Sequence, residues 1–360
     1  MAPKIVLTGG GTAGHVTPNL ALLPHLKAKG YEIVYIGSHD GIEKRLLADF
    51  DVPYYGVASG KLRRYFDPKN FTDPFRVIKG FAEARKLLKE IRPDLVFSKG
   101  GFVAVPVVRA AATLKIPCIL HESDMTPGLA NRLCIPVAEK ICCNFPETMQ
   151  GLSPEKAVLT GSPIREELLK GNKEAALQMC GFTRDLPVLL VIGGSQGAAS
   201  VNRVVRDALP QLLQDFQIIH ICGKDKIDNL FLTTEGYKQF EYLKAELKDA
   251  FAAADVVISR AGANAICELL ALKKPNILIP LPTESSRGDQ LLNAASFESQ
   301  GFSIVINEDH LTSALLAEKV RELYCSRNMY IEAMAGSDQP DAIRTILDLI
   351  DEVAFRNKNV

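Results

Sequence analysis

Two glycine-rich segments of the chain each follow an apolar run and could bind the phosphate groups of a nucleotide. The first, Gly9–His15, follows the run Lys4–Thr8, and the second, Gly193–Ala198, follows the run Val188–Ile192. Glycine lets backbone N–H groups approach a ligand closely, and the amino end of a following helix attracts negative charge. The second segment is not a Walker A loop, because no Gly-Lys-Ser/Thr sequence follows it. One such loop in each half predicts a ligand clamped between two domains.

The first segment also fits the Gly-x-Gly-x-x-Gly spacing of dinucleotide-binding proteins, through Gly9, Gly11 and Gly14. That pattern needs an acidic residue about 20 positions further on, at the end of the second strand, to bind the ribose. The second strand-like run, Glu32–Ile36, instead ends in Gly37-Ser38. A nicotinamide enzyme is therefore one alternative, but it lacks the acidic residue that would support it.

His15 ends the first segment, where an imidazole would point toward the carboxyl ends of the strands. It is a candidate general base, and a helix cap is the alternative.

A further strand-to-helix junction, Ser98–Phe102, contains two glycines. It is either another close-approach loop facing the same crevice or an ordinary turn.

Two junctions of the second half carry polar side chains suited to a sugar nucleotide. Ser259–Glu268 follows an apolar run and opens a helix, and the Glu268 carboxylate could accept hydrogen bonds from two ribose hydroxyls. The alternative is a solvated helix charge, which the apolar neighbours of Glu268 disfavour. At the other junction, Asp289, Gln290 and Asn293 could recognise sugar hydroxyls. There the alternative is a polar helix start with Asp289 as its cap.

Apolar strand-like runs alternate with helical segments along the chain, beginning with helices predicted at Pro18–Lys29 and Ile42–Ala48. Short apolar runs suit a parallel sheet covered on both faces, and the alternation predicts an α/β doubly wound fold. The strands predicted in the first half are Lys4–Thr8, Glu32–Ile36, Leu95–Ser98, Cys118–His121, Lys140–Cys143 and Ala157–Thr160. Those predicted in the second half are Val188–Ile192, Gln217–Cys222, Val256–Ser259, Asn276–Ile279 and Ser303–Ile306.

The two series of strands predict two Rossmann-like domains with a ligand cleft between them. The junction lies near Gly161–Gly171, which gives a first domain of residues 1–163 and a second of residues 164–340. The segment Asp341–Phe355 has apolar residues at helical spacing and no strand after it. We expect this last helix, 341–357, to pack back onto the first domain.

Composition narrows the class of protein. A length of 360 residues suits two domains, and 42 basic against 42 acidic residues argue against a general nucleic-acid binder. None of the eight cysteines forms a Cys-x-x-Cys pair and several lie in apolar runs, which indicates free thiols in a reducing cytosol. The sequence shows neither a signal peptide nor a run of about 20 apolar residues, so we expect any membrane contact to be peripheral.

Residues 61–92 form a locally basic stretch, with ten basic and four acidic side chains interspersed with tyrosine and phenylalanine. Basic residues beside apolar ones favour binding to an anionic lipid surface. The alternative is an ordinary amphipathic helix on the face of a domain.

Taken together, these segments resemble one known family. The segments that carry the resemblance, in order, are Gly9–His15 followed by Val16-Thr17-Pro18, then His121–Asp124, Gly161–Arg165, Gly193–Ala198, Arg260–Glu268 and Asp289-Gln290. Over essentially its whole length the chain resembles the MurG family of peptidoglycan N-acetylglucosaminyltransferases, which convert lipid I to lipid II. The resemblance implies a GT-B fold in which the second domain holds most of the UDP-GlcNAc.

The resemblance also assigns residues to the substrates. Ser195 and its loop would contact the diphosphate, Arg165 would serve the same nucleotide sugar, and Glu268 would bind the ribose. Further residues assigned to the donor are Leu243 near the uracil, Ala263, Asn264, Ala265, Ile266 and Cys267 beside the ribose, and Gln290 with Asp289 at the GlcNAc hydroxyls. Thr12, Ala13 and Gly14 would face the sugar and the acceptor from the first domain, as would Asp124, where many relatives have Asn.

The reaction that the resemblance implies is a direct displacement with inversion at the sugar, because the donor is α-linked and the family makes a β-linkage. His15 is the candidate base for the C4 hydroxyl of the muramyl sugar, and Glu122 is the second candidate. We expect no cofactor, and no obligatory metal, since no Asp-x-Asp motif suited to a metal lies beside the nucleotide.

The expected partners are UDP-GlcNAc, lipid I, the anionic membrane surface through residues 61–92, and other cell-wall synthesis proteins. The expected location is the cytoplasmic side of the cell membrane, with peripheral attachment. The alternatives that remain open are a GT-B enzyme with another lipid acceptor such as diacylglycerol, a nicotinamide-dependent oxidoreductase, and a non-catalytic subunit that binds nucleotide sugars.

Overall fold

The chain folds into two compact units that differ from two consecutive halves of the sequence. The computed structural model describes residues 2–60, 69–194, 197–283, 288–337 and 341–356, with the backbone alone for 69–74. One unit combines Met1–Ile164 with Gln339–Val360, and the other is Arg165–Asp338. We call them the first and the second unit.

The first unit is built on a seven-stranded, entirely parallel sheet. Its strands are β1 (Lys4–Thr8), β2 (Glu32–Ser38), β3 (Tyr54–Val57), β4 (Leu95–Ser98), β5 (Cys118–Glu122), β6 (Lys140–Cys143) and β7 (Ala157–Leu159). Their order across the sheet is β3-β2-β1-β4-β5-β6-β7. The order reverses between β1 and β4, and ligands of open α/β sheets bind at the carboxyl ends of the strands at such a point.

Helices cover both faces of this sheet. They are α1 (Thr17–Ala28), α2 (Ile42–Leu46), α3 (Lys69–Ile91), α4 (Ala104–Thr113), α5 (Leu129–Cys134) and α6 (Pro146–Met149), joined by α14 (Ala342–Arg356) from the end of the chain. Successive residues of β1 serve opposite faces, as the twofold repeat of a strand requires. Ile5 and Leu7 belong to the core under α1 and α14, whereas Val6 belongs to the core under α3 and α4.

Helix α14 is anchored to the first unit by polar contacts as well as by its apolar face. Asp351 accepts hydrogen bonds from the Lys29 ammonium at 2.5 Å and from the Tyr31 hydroxyl at 2.6 Å. Arg356 forms an ion pair with Glu139 at 2.8 Å. The buried residues of α14 are Ile346, Leu347, Leu349, Ile350, Val353 and Ala354.

The second unit has a parallel sheet of six strands in the order β10-β9-β8-β11-β12-β13. These are β8 (Val188–Ile192), β9 (Gln217–Ile221), β10 (Tyr237–Phe240), β11 (Ala254–Ser259), β12 (Asn276–Leu278) and β13 (Ser303–Val305). The helices are α7 (Lys173–Cys180), α8 (Ala199–Leu212), α9 (Leu247–Ala253), α10 (Ala263–Ala271), α11 (Asp289–Ser299), α12 (Ser313–Cys325) and α13 (Arg327–Ala335). The order reverses between β8 and β11, so the loops after these strands share one edge.

The α/β fold with two parallel, Rossmann-like sheets confirms the fold class predicted from the sequence, and the strands predicted there are all present. Two strands were missed, β3 and β10, and each is the outermost strand at one edge of its sheet. An edge strand is open on one side, so it needs no continuous apolar run. In β10 the buried Tyr237 and Gln239 alternate with the more exposed Lys238 and Phe240, a pattern too polar to stand out.

The cleft expected between the two domains stays a prediction. Among the described residues, no helix is both long and apolar enough to cross a membrane.

Candidate active site

The first glycine segment lies at the carboxyl end of β1, where the strand order of the first unit reverses. A short 3-10 turn, Ala13–His15, follows it and leads into α1. The Thr12 hydroxyl and the Nδ1 atom of His15 are 3.0 Å apart, and both side chains reach the surface. Thr12, Ala13, Gly14 and His15 therefore form one accessible turn at the place where such sheets bind ligands.

A buried carboxylate that the sequence analysis did not identify holds this segment. Glu43, in the first turn of α2, is fully buried, and its Oε2 accepts the N–H of Gly11 at 3.1 Å. Its Oε1 accepts the N–H of Ser38 at 2.8 Å and the Ser38 hydroxyl at 2.5 Å. The sequence held one signal, because Glu43 lies in the predicted helix Ile42–Ala48 four residues before the apolar Leu47, and both are buried.

The loop after β4 packs directly on the first glycine segment. A Cβ atom at Gly101 would lie 2.2 Å from the carbonyl oxygen of Gly10, so only glycine permits this approach. Lys99, in the same loop, is almost completely buried and donates to the Ser123 hydroxyl. The ammonium of Lys99 and burial together lower the pKa of His121 well below its usual value, with burial the larger cause, so that imidazole is neutral. The Ser98–Phe102 junction therefore faces the same edge of the sheet as the first segment.

Glu122, the second candidate base, holds the loop after β5 together. Its Oε1 accepts the N–H of Asp124 at 3.1 Å, and its Oε2 accepts the N–H of Gly128 at 3.0 Å and the side-chain amide of Asn131 at 2.8 Å. Burial raises the pKa of Glu122, and the hydrogen bond from Asn131 opposes that shift. Both oxygens of this carboxylate are thus directed into the protein, whereas Asp124 lies partly exposed.

The second glycine segment lies at the carboxyl end of β8 and precedes α8. Ser195, assigned to the diphosphate, falls outside the described residues. A Cβ atom at Gly197 would lie 1.9 Å from the carbonyl oxygen of Cys222, so the segment packs tightly on the end of β9. The ammonium of Lys226, a residue not selected from the sequence, donates to the carbonyl of Gly197 at 3.1 Å. Arg206 fixes Lys226 in turn by donating to its carbonyl at 2.7 Å.

Helix α10 begins beside this segment, directly after β11. Ala263, Asn264, Ala265, Ile266 and Cys267 form its first turns, and Glu268 follows as a mostly buried residue. Burial raises the pKa of Glu268 to about 7, and the positive charge of Arg165 opposes that shift. The structure therefore brings Glu268 and Arg165 close enough to interact, although they are about a hundred positions apart in the sequence.

Arg260 ties four loops of this edge together. Its Nη1 donates to the carbonyl oxygens of Ile279 and Pro280, at 3.0 and 3.3 Å, and to the Glu308 carboxylate at 2.5 Å. Its Nη2 lies 3.4 Å from the hydroxyl of Ser200 in the first turn of α8. Burial raises the pKa of Glu308, but the hydrogen bonds from Arg260 and Ser200 outweigh it and leave that pKa lowered. Arg260 thereby fixes the edge at which the other candidate residues meet.

The remaining residues that the resemblance assigns to the nucleotide sugar lie in neighbouring loops. Asp289 and Gln290 open α11, which follows β12, and Oε1 of Gln290 accepts the N–H of Leu281 at 3.0 Å. Leu243 lies partly exposed between β10 and α9. Gly197, helix α10 with Glu268, and Gln290 thus follow β8, β11 and β12, which are adjacent in one sheet, and Leu243 follows β10 at the edge of that sheet.

Helix α3 carries the described part of the basic stretch, and residues 61–68 lie outside the described residues. Phe75 and Ile78 are 74% and 65% exposed, which is unusual for such side chains. Phe81 instead packs against the core of the first unit and lines an open cavity of about 380 Å³ with Arg109, Ala112, Thr113 and Val137.

Within the described residues, no group of three or more His, Cys, Asp or Glu side chains could hold a metal ion.

The two domains of one known protein family both match the chain. The N-terminal domain of glycosyltransferase family 28 matches residues 5–143, and its C-terminal domain matches residues 188–349. The chain belongs to glycosyltransferase family 28, and it is a glycosyltransferase with two parallel-sheet units.

Individual relatives narrow this class. A protein of Lachnoclostridium phytofermentans is 62% identical over 353 residues, which cover 98% of this chain and 99% of that protein. One of Clostridium botulinum is 56% identical over 347 residues, covering 96% and 98%. Both are named UDP-N-acetylglucosamine–N-acetylmuramyl-(pentapeptide) pyrophosphoryl-undecaprenol N-acetylglucosamine transferase. The crystal structure of Acinetobacter baumannii MurG is 26% identical with a TM-score of 0.78, covering 97% of this chain and 99% of that one.

Proposed function

We propose that this chain carries out the reaction for which its relatives are named. It transfers N-acetylglucosamine from UDP-GlcNAc to the C4 hydroxyl of the muramyl sugar of undecaprenyl-pyrophosphoryl-MurNAc-pentapeptide, the step from lipid I to lipid II in peptidoglycan synthesis. The observation that carries the proposal is the convergence of Gly197, Glu268 and Gln290 on one edge of the second sheet. UDP-GlcNAc contains a diphosphate, a ribose and an amino sugar, and the loops of Gly197, Glu268 and Gln290 supply one group for each of them.

The donor site belongs to the second unit, Arg165–Asp338. The ribose hydroxyls donate to the Glu268 carboxylate, and the loop that contains Ser195 receives the diphosphate with the help of Arg165. Oε1 of Gln290 is bound to the backbone of Leu281, which leaves its amide nitrogen to meet the oxygens of GlcNAc. The first turns of α10, Ala263 to Cys267, support the ribose, Leu243 lies near the uracil, and Asp289 assists Gln290.

The first unit presents the acceptor and the base. In the tautomer whose Nδ1–H donates to the Thr12 hydroxyl, Nε2 of His15 carries the lone pair that takes the proton of the acceptor hydroxyl. The hydroxyl oxygen bonds to C1 of GlcNAc as the bond from C1 to the diphosphate breaks, with inversion at C1. UDP leaves, and the amides of the second glycine loop together with Arg165 stabilise its developing charge.

Of the two candidate bases, the geometry favours His15. Glu122 is 5% exposed, and its two oxygens already accept three hydrogen bonds that organise its own loop. Removing a proton from the acceptor would require this carboxylate to leave those donors buried and unpaired, which costs about 1–3 kcal/mol for each group. Thr12, Ala13, Gly14 and Asp124 then line the acceptor side.

The enzyme reaches its lipid acceptor from the cytoplasmic face of the membrane, as a peripheral protein. Phe75 and Ile78 insert between lipids, and the basic side chains of residues 61–92 attract anionic headgroups. The double variant F75S/I78S should lose binding to anionic vesicles and keep its affinity for UDP-GlcNAc. Vesicle binding equal to that of the wild type would refute this surface.

Calorimetry with UDP-GlcNAc, UDP-galactose and NADH, followed by transfer to a short-chain lipid I analogue, tests the function. We expect selective binding of UDP-GlcNAc and formation of the disaccharide product. Binding of NADH without UDP-GlcNAc would overturn the proposal in favour of an oxidoreductase. Binding of UDP-GlcNAc without transfer would indicate a non-catalytic subunit, and transfer to diacylglycerol alone would indicate another lipid acceptor.

A further inference from the structure

We infer that Glu43 is a positioning residue for the reaction: its carboxylate fills the anion-binding position of the first glycine segment and thereby holds Thr12 and His15 in place. Glu43 is fully buried and lies in the first turn of α2, away from the residues assigned to substrates. The inference rests on the proposed function, because it concerns the base of that reaction.

The contacts of Glu43 satisfy both of its oxygens from the protein. Oε2 accepts the N–H of Gly11, and Oε1 accepts both donors of Ser38. Hydrogen bonds to a charged acceptor are about twice as strong as neutral ones. Because the carboxylate is excluded from water, losing one of these donors would leave a buried charge partly unsatisfied. The position of Gly11 is therefore strongly coupled to that of Glu43.

The backbone around this carboxylate is shaped to admit it. A Cβ atom at Gly10 would lie 2.4 Å from the carboxyl carbon of Glu43, and one at Gly41 would lie 2.2 Å from its Oε1. A Cβ atom at Gly37 would lie 2.7 Å from the Cγ atom of Glu43. Three separate glycines thus make room for one side chain. These glycines come from two segments, the first glycine segment and the stretch from the end of β2 to the start of α2, which meet around the carboxylate of Glu43.

The first segment is also held from its other side. The Tyr35 hydroxyl donates to the carbonyl of Gly9 at 2.9 Å, so Tyr35 fixes the start of the turn and Glu43 fixes its end. Gly11 has a φ of +84° and immediately precedes Thr12, whose carbonyl accepts the N–H of His15 at 3.1 Å. A shift of Gly11 therefore moves the base. Displacing a reacting group by about 1 Å can cost on the order of a hundredfold in rate.

The same contact explains why a Gly-x-Gly-x-x-Gly segment need not bind a dinucleotide. In dinucleotide-binding proteins the amides of this turn receive a pyrophosphate. Here an internal anion already occupies the N–H of Gly11, and a second anion beside it would be repelled. An acidic residue does follow β2, namely Glu43, but it accepts a hydrogen bond from the glycine turn and does not face a ribose.

The test compares E43Q with D94N. Asp94 accepts the N–H of Lys4 at 2.7 Å, at the other end of β1, so the two variants make the same chemical change at opposite ends of one strand. In E43Q an amide N–H₂ must face the N–H of Gly11 or of Ser38. We expect kcat to fall by about 10–100-fold with the Kd of UDP-GlcNAc within about twofold of wild type, and D94N to keep its kcat.

The variant S38A provides a second test of the inference if E43Q does not fold. It removes one of the three donors, and we expect a loss in kcat of about 3–10-fold, again with unchanged donor affinity. Hydrogen exchange of the Gly11 amide should be faster in both variants than in wild type. Unchanged kcat in both variants, or equal losses in kcat and donor affinity, would overturn the inference. If the wild type itself transferred no GlcNAc, the proposed function would fail instead.

Discussion

The two glycine segments follow one sequence pattern, yet charges of opposite sign hold them. In the first unit, the carboxylate of Glu43 accepts a backbone N–H, that of Gly11. In the second unit, the ammonium of Lys226 donates to a backbone carbonyl, that of Gly197. Both segments join a parallel strand to a helix at the point where the strand order reverses.

This difference indicates that the charged side chain beside a glycine turn, more than its glycines, determines whether the turn suits a phosphate. An internal anion makes the first turn a rigid support for an imidazole and discourages phosphate. An internal cation adds positive potential to a turn that already lies at the amino end of α8, and so favours a diphosphate. The predictions below test this contrast, from the largest expected effect to the smallest.

The largest effect should come from the base on the first segment. H15A should lower kcat by about 10²–10⁴-fold, because a positioned base typically contributes that much. The affinity for UDP-GlcNAc should change little, since the proposed donor site lies in the second unit. Steady-state kinetics and calorimetry measure the two quantities, and an unchanged kcat would show that His15 is not the base.

The next effect concerns Glu268 in the second unit. Its pKa of about 7 means that the wild type binds UDP-GlcNAc more tightly as the pH rises from 6 to 8, because only the carboxylate accepts both ribose hydroxyls. E268Q should weaken binding at pH 8 by about 10–100-fold, as loss of hydrogen bonds to a charged group implies. It should also abolish the pH dependence. Calorimetry at several pH values checks this, and a steep dependence that persisted in E268Q would assign it to another group.

The same raised pKa predicts that E268Q, which weakens ligand binding, makes the folded protein more stable. A carboxyl whose pKa in the folded state lies above its value in the unfolded state contributes stability at low pH and loses it as the pH rises through about 7. E268Q should therefore raise the free energy of unfolding at pH 8 by about 1–3 kcal/mol and change it little near pH 4. Urea denaturation at both pH values measures this, and a destabilised variant at pH 8 would contradict it.

The smallest effect tests the cation of the second segment. K226Q should weaken UDP binding by about 3–10-fold, as the loss of one nearby charge implies, and should leave uridine binding unchanged. K224Q is the matched control, because Lys224 is an exposed lysine two residues earlier. Equal losses for UDP and uridine would mean that Lys226 only supports the fold, and the contrast between the two segments would then weaken.

The sequence predicted the central strands and both glycine turns because each depends on a short local pattern of apolar residues and glycines. It did not reveal the edge strands β3 and β10, whose open sides permit polar residues. It also did not reveal Glu43 or Lys226 as parts of the site, and it placed Arg260 in a motif without indicating its contacts. The importance of these residues arises from contacts with atoms in other loops, and such contacts leave little local pattern in the sequence.

The resemblance to a family supplied what local patterns could not. Glu268 and Arg165 interact in the fold, but nothing in either local sequence connects them. The role proposed for Leu243 depends entirely on the resemblance, since its position between β10 and α9 carries no distinctive chemistry. Ser195 lies outside the described residues, and its role stays a prediction.

The discontinuity of the first unit affects how the protein must be made. Its sheet is translated first, but one face of that sheet is covered by a helix at the very end of the chain, Ala342–Arg356. The second unit can complete its core while synthesis continues. The first unit cannot do so until α14 has been made, and until then Leu22 and Phe97 are incompletely covered. A ribosome that stopped after residue 337 would release a finished second unit joined to an unfinished first one, with an apolar face open to aggregation or to chaperones.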